Sequence, residues 1–342
     1  MTTRRRLAQL DLFGAPPMPV DAPPARRGHA EIRAAPVSAE LRAVAHRLPP
    51  ALRLGTSSWS FPGWAGIVYE DAAGTARLAR HGLAAYARHP LLRAVGIDRT
   101  FYAPVPAETL AAYAAAVPDD FRFLVKAHED CTLARFNGQE RYGARRGQRN
   151  EVFLHPAYAS EMVVGRVIDG LGHKAGPILF QFPPQDAAAL GGAERFAERL
   201  HTFLDGLPRG PLYAVELRNR ELLSTTYATA LADVGAVHCL NVHPSMPDVG
   251  DQARVAAAGD SPALVVRWML ARRYGYEEAK ARYQPFDRIV DDDPAARRAI
   301  ADLCRAAVAR QRPAFVIINN KAEGSAPLSV FRLAQQIVTG DE

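Results

Sequence analysis

Beyond about residue 51 the chain alternates two kinds of segment. Short apolar runs rich in β-branched and aromatic residues are separated by Ala-rich stretches whose apolar positions recur at helical spacing. That alternation marks βαβ units around a parallel sheet. The strands it predicts are Leu52–Ser57, Ala94–Asp98, Phe121–Lys126, Ile178–Phe182, Leu212–Arg218, Val237–Asn241, Leu264–Met269 and Ala314–Asn319. Helical patterns fall between them at Ala76–Arg88, Ala107–Ala116, Ala193–Leu204, Tyr227–Asp233 and Ala295–Arg310. A last one, Leu328–Val338, follows the eighth strand. Eight parallel strands with crossover helices predict an α/β fold of the (β/α)8 TIM-barrel type over residues 51–342. A doubly wound sheet is the alternative, and it would want a glycine-rich phosphate turn after its first strand. The turn there, Gly55-Thr56-Ser57-Ser58-Trp59, lacks GxGxxG.

The connection between the third and fourth strands, at about 127–176, is long. It contains a helical pattern at Ala157–Leu171 and a basic stretch with Arg135, Arg141, Arg145, Arg146 and Arg149. Loops of that length are commonly functional or disordered. Leaving the C-terminal end of a strand, this one would overhang the face where barrels carry their chemistry.

A barrel strand is ordinarily filled with apolar residues, so charges inside one are informative. Here Asp98 ends the second strand, Lys126 the third, Glu216 and Arg218 the fifth, and Arg267 lies on the seventh. Gln181 adds an amide on the fourth, His238 and Asn241 lie on the sixth, and Asn319 and Asn320 end the eighth. Period-two alternation places Tyr213, Val215 and Leu217 toward the helices, and Ala214, Glu216 and Arg218 toward the interior. A carboxylate so placed needs a cation, and Lys126, Arg218 and Arg267 are candidates. Such a cluster is either a structural ion network or a catalytic or ligand-binding floor, and its position favours the second.

Aromatic residues crowd the turns after the first two strands: Trp59, Phe61, Trp64 and Tyr69, then Phe101 and Tyr102. Trp59, Trp64 and Tyr102 are candidates to stack on a sugar or base, with simple lid packing as the plainer alternative. The turn Gly324-Ser325-Ala326-Pro327 falls where barrels bind phosphate on backbone N–H groups, although it also reads as an ordinary helix start. The histidines show no HxH or HExxH spacing, so no metal site is expected. Cys131, Cys239 and Cys304 are far apart in sequence and form no CxxC pair, which fits free thiols in a reducing cytoplasm.

Charge separates the first 50 residues from the rest. They hold eight Arg against four Asp or Glu, a net of +4 out of the chain's +6. Eight of the 26 prolines fall within residues 14–50, so residues 1–50 are expected to be a disordered, basic, Pro-rich tail. A basic tail of this kind, together with the Arg-rich loop, is a candidate for nonspecific nucleic-acid contact; a solubilising arm is the bland reading. No apolar run is long enough to span a bilayer, and no signal peptide follows Arg4-Arg5-Arg6, so a cytoplasmic protein without membrane contact is expected.

Within the tail, Gln9-Leu10-Asp11-Leu12-Phe13 is an apolar and aromatic cluster with no core to join. It resembles the QLxLF-type peptide with which bacterial repair and replication proteins dock on the DNA sliding clamp. The resemblance implies that Leu12 and Phe13 fill a hydrophobic pocket and that Gln9 bonds at its edge, with Leu10 also in contact.

The remainder resembles the YecE-like family of barrel proteins, the domain of unknown function 72. The residues that carry the likeness run in order from Gly55-Thr56-Ser57-Ser58-Trp59-Ser60-Phe61-Pro62-Gly63-Trp64-Ala65-Gly66 through Thr100-Phe101-Tyr102 and Phe123-Leu124-Val125-Lys126. They continue through Leu179-Phe180-Gln181-Phe182-Pro183-Pro184 and Ala214-Val215-Glu216-Leu217-Arg218 to Asn319-Asn320, Gly324 and Ala326. The resemblance implies a TIM-type barrel with a polar pocket at its mouth and brings no activity with it. The chain departs from the family pattern at Gly96, where a Glu is usual, at Met269-Leu270 in place of His-Gly, and at Leu222 in place of an aromatic.

The leading expectation is an enzyme acting on an anionic, phosphorylated or nucleotide-like ligand. Glu216 would be the general acid or base, its pKa set by Lys126 and Arg218, with Asp98 beside it. Arg267, Gln181, Asn319, Asn320 and the Gly324 turn would hold the anion. Hydrolysis or lyase chemistry is favoured over redox chemistry, because no nicotinamide or flavin fingerprint appears; any cofactor is unknown. Two rivals stand beside it: a clamp-recruited DNA-transaction or repair accessory, such as a nuclease, and a non-catalytic binding barrel.

Overall fold

A computed structural model describes residues 31–340, and Gln9, Leu10, Leu12 and Phe13 lie outside them. Eight strands close into a barrel in sequence order, every neighbouring pair parallel and β8 returning to β1. They are β1 (Leu52–Thr56), β2 (Ala94–Ile97), β3 (Arg122–Lys126), β4 (Ala175–Phe182), β5 (Tyr213–Leu217), β6 (Val237–Val242), β7 (Leu264–Trp268) and β8 (Ala314–Ile318). The expected barrel is the observed one. Only β4 differs by more than a residue, beginning three residues earlier.

Alternation along the strands divides their side chains between two cores. Leu54, Val95, Val125, Phe180, Val215, Leu240, Val266 and Val316 face out into the large cluster shared with the helices. Leu124, Leu179, Ala214, Val237, Cys239, Val265, Phe315 and Ile317 fill the lower interior of the barrel. The crossover helices follow the expected periodicity, among them Ala107–Ala115, Gly192–Asp205, Thr225–Asp233, Pro294–Ala309 and Ala326–Thr339. The pattern at Ala76–Arg88 is broken at Gly82 into helices Thr75–His81 and Leu83–Ala87. Among the described residues no helix is long and apolar enough to cross a membrane.

The expected Pro-rich linker does not extend to residue 50. Residues 39–47 form a helix, capped by Ser38, whose side chain accepts from Leu41 N–H, and closed by His46 and Arg47 in the last turn. Its prolines, Pro36, Pro49 and Pro50, lie outside the helical turns and do not interrupt them. The segment packs on the barrel: Ala45 is buried, Arg47 donates to the Val338 carbonyl, and Ala34 bridges Tyr69.

The insertion after β3 is folded too. It carries short 3-10 turns at Glu129–Cys131 and Glu140–Arg145, then a continuous helical run over 156–171 with a π-helical turn at Ser160–Val164. Asn150 ties its two limbs together, donating to the carbonyls of Asp130 and Leu133. Leu133, Phe136 and Tyr142 form a small core of their own.

Candidate functional site

One layer above the apolar filling, the barrel interior changes character. Each strand, or the residue just past it, contributes a polar side chain: Ser57, Asp98, Lys126, Gln181, Glu216, Asn241, Arg267 and Asn319. The parallel register makes the ring, with Gln181 opposite Glu216 and Asn241 opposite Arg267. Lys126, Glu216, Asn241 and Arg267 are fully buried.

Charge pairing organises the ring. Arg267 donates to Glu216 Oε2 at 2.7 Å and to both Asp98 oxygens at 3.1 Å. Arg218 engages the other Glu216 oxygen. Burial alone would raise the Glu216 carboxyl, but Arg218, Arg267 and Lys126 together outweigh it and hold the group at about 2. Burial pushes the Lys126 ammonium down to about 7, with Asp98 opposing and Arg267 assisting. The Lys126 Nζ sits 3.5 Å above the centre of the Phe101 ring.

The sequence-predicted residues divide into those the fold gathers and those it does not. Asp98, Lys126, Gln181, Glu216, Arg218, Arg267 and Asn319 meet at the mouth; Asn319 donates to Ser57 Oγ at 2.8 Å. Trp59, Trp64, Asn320 and the Gly324 turn are corrections. The Trp64 ring is fully buried against Phe61 and Tyr86, and its indole N–H donates to Asn320 Oδ1. Trp59 is buried edge-on against Tyr113 and donates to the Ala79 carbonyl. Neither indole is presented to a ligand. Tyr102 is half-buried and lies under the Arg141 guanidinium of the insertion, so Phe101 is the ring that reaches the charged floor.

Asn320 points away from the interior and caps the final helix, its Oδ1 also accepting from Ala326 N–H. The Gly324 N–H is spent on the Asn320 carbonyl. Gly324, at φ +121°, instead makes room for another backbone: a Cβ there would stand 2.5 Å from the Arg288 carbonyl. Glu323 beside it is buried against Arg297, which places a carboxylate where the phosphate was expected.

Ser57, His243 and Lys321 join the candidate site beyond the residues nominated from sequence, and Asn241, noted there only as a polar residue on the sixth strand, joins it too. Ser57 and Asn241 were legible by alternation. Lys321 was not, because it lies past β8, where no strand period applies. It is buried, stacked 4.4 Å from the Tyr276 ring centre, and lowered to about 8 by burial and Lys280, against the pull of Asp98. His243, past β6, is pushed to about 3 by burial and the Arg218 charge. His238, by contrast, faces the helices, bonded to Tyr227 and Gln252. Among the described residues no group of three or more His, Cys, Asp or Glu side chains is placed to hold a metal ion.

The insertion is fastened beside this floor. Glu129 accepts from Arg141 at 2.6 Å and Tyr142 at 2.9 Å, and Arg145 pairs with Asp130 at 2.9 Å. His128 bonds Tyr158 at 2.8 Å.

The closed parallel barrel is of the TIM type, and its charged ring lies at the C-terminal ends of the strands, the face where such barrels carry their chemistry. The chain belongs to the DUF72 family, described as "Protein of unknown function DUF72", whose model matches residues 53–341. A solved DUF72 family protein from Thermotoga maritima MSB8 is similar in fold, with a TM-score of 0.57 and 16% identity over 84% of this chain and 98% of that one. Another, from Enterococcus faecalis V583, gives a TM-score of 0.52 and 17% identity over 85% of this chain and 96% of that one. No curated protein matches the chain.

The departures from the family pattern also have a structural setting. Gly96 faces inward one step below Asp98, and a Cβ on it would come within 3.2 Å of the Ser57 backbone. Met269 and Leu222 are both buried.

Proposed function

We propose that the barrel is an enzyme that binds a small anionic ligand at its mouth and transfers a proton at Lys126. The observation that carries this reading is the charge balance of the buried floor. Arg218 and Arg267, with the amines of Lys126 and Lys321 when protonated, supply up to four cationic groups against the two carboxylates of Asp98 and Glu216. The nearby Glu129 is paired with Arg141. An excess of buried positive charge is costly alone and is relieved by an anion.

The proton-transfer role falls to Lys126 and not to Glu216. A carboxyl held at about 2 stays ionised and exchanges no proton near neutrality, whereas an amine at about 7 exists in both forms there. Glu216 serves as the anchor that orients Arg218 and Arg267. An amine of this kind suits hydrolytic or lyase chemistry, in which it removes or returns a proton beside a bound anion.

Titration calorimetry of the full chain with inorganic phosphate and pyrophosphate tests the reading. Binding that Lys126→Met and Arg218→Met each weaken by about tenfold or more is expected. Undetectable binding of both anions by the folded wild-type protein would sink it.

A second reading concerns the tail. Its Gln9–Phe13 pentapeptide, apolar and aromatic in a polar arm, suits a sliding-clamp groove and would bring the barrel to sites of DNA transaction. A clamp pull-down that is unaffected by the double change Leu12→Ala and Phe13→Ala removes that role.

A further inference from the structure

The ring at the mouth holds polar atoms that no described residue engages. Gln181 Oε1 and Asn241 Oδ1 are buried and accept no hydrogen bond, and the Arg218 Nη1 donor is buried in the same condition. These side chains are 5%, 0% and 6% exposed and come from three adjacent strands. Asn241 is held in place from its other end, its Nδ2 donating to the Leu217 carbonyl at 3.2 Å. Its oxygen is thereby oriented with nothing to accept from.

Buried acceptors require donors. A simple oxyanion answers the arginine, but its unprotonated oxygens only accept, and the single P–OH of a phosphate dianion leaves at least one of the two amide oxygens unsatisfied. Hydroxyl groups satisfy them. The ligand therefore carries an anion and hydroxyls together, and a floor of two arginines and two amines able to take protons, against two carboxylates, matches a dianionic phosphate better than a single carboxylate. Near-complete burial of the ring favours a small molecule over a polymer backbone.

We propose that the barrel mouth is a sugar phosphate site, with ligand hydroxyls donating to Gln181 Oε1 and Asn241 Oδ1 and the phosphate held at Arg218. This rests on the anionic-ligand reading above and narrows it to one substrate class. A site built to hydrogen-bond hydroxyls rejects an analogue lacking them, because its own acceptors are then left unpaired.

The test compares ribose phosphate, cyclopentylmethyl phosphate (a five-membered ring without hydroxyls) and inorganic phosphate by calorimetry on the full chain. Ribose phosphate is expected to bind about tenfold or more tighter than the other two. Its advantage over the hydroxyl-free analogue should fall to roughly threefold or less in Gln181→Met and in Asn241→Leu. Thermal melts establish that each variant folds. If Asn241→Leu does not, Gln181→Met carries the comparison, since its side chain closes no hydrogen bond that the fold depends on.

Equal affinity for ribose phosphate and the hydroxyl-free analogue overturns this inference and leaves the anion site standing. Failure of all three compounds to bind overturns both. Tighter binding of a sugar acid or of a short oligodeoxynucleotide than of ribose phosphate overturns the substrate class.

Discussion

The lower and upper halves of the barrel interior are built by the same eight strands and obey opposite rules. Below, Leu124, Leu179, Val237, Val265, Phe315 and Ile317 fill the space with hydrocarbon. Two residues further along the same strands stand Lys126, Gln181, Arg267 and Asn319. A single step of the strand period thus passes from a packed core to a cluster of charges that are just as buried. The lower layer lowers its free energy by leaving water. The upper layer gains little from burial and holds together through reciprocal pairing. A fold that needed only stability would have continued the hydrocarbon upward. Charge retained there is what the proposed ligand site rests on.

Changes in the two halves should therefore separate stability from binding. The largest effect is expected in the upper half from Glu216→Ala, which strands Arg218 and Arg267 without their shared carboxylate. A loss of about 3–5 kcal/mol in denaturant unfolding is expected. A loss below about 1 kcal/mol would show that solvent reaches the pair and that the floor is not closed.

In the lower half, Leu179→Ala should cost about 2–5 kcal/mol by leaving a cavity. The folded variant should bind phosphate as the wild type does. An equal loss of affinity would mean that the two layers are one mechanical unit and not two.

Lys126→Met tests the same boundary by pH. The folded pKa of about 7 lies below the ordinary 10.5, so the unfolded chain binds more protons between these values. Lys126 consequently destabilises the fold below pH 7, and that penalty is relieved as the pH rises from about 7 toward 10.5. The stability of the wild type relative to Lys126→Met should increase over that window. A flat difference would mean that the amine is not titrating in the buried ring. Glu216 acts at the other end of the scale: its stabilisation is present above the ordinary 4.5 and is lost as the pH falls through about 2.

The smallest effect on binding is expected from Trp64→Phe. Its ring packs in the outer core and its N–H caps Asn320, so phosphate affinity should stay within about twofold while some stability is lost. A tenfold loss of affinity would restore the indole to the site.

The contrast between the halves also explains what was legible in the sequence. The barrel strands read clearly because β-branched and aromatic runs do not suit the helices beside them. Alternation then told Glu216 from Val215 and Leu217 without coordinates. Where no period operates, the reading failed. Lys321 lies past the end of β8 in a turn where its backbone N–H donates to Asn319 Oδ1, and its ammonium sits over Tyr276 within reach of the Asp98 charge. Trp59 and Trp64 looked like a binding rim because an aromatic after a strand is equally suited to a lid or a core. Only the path of the turn decides, and it buries both. The helix at 39–47 was hidden by the prolines around it, although Ser38 and its helix-forming residues were visible. The Gly324 turn carried the composition of a phosphate loop, but the approach of Arg288 had used its glycine.

If the upper half is an anion site whose amines wait partly unprotonated, an arriving anion must change their protonation. Calorimetry of inorganic phosphate binding near pH 7.5, in buffers of differing ionisation enthalpy, measures the protons exchanged. An arriving anion favours the charged forms of Lys126, at about 7, and Lys321, at about 8. Phosphate titrates in this range and itself releases protons on being held as the dianion, equally in both proteins. The difference between them is what reports Lys126: the wild type should take up more protons on binding, or release fewer, than Lys126→Met. Phosphate binding with a proton balance unchanged in Lys126→Met would contradict that reading of the upper half.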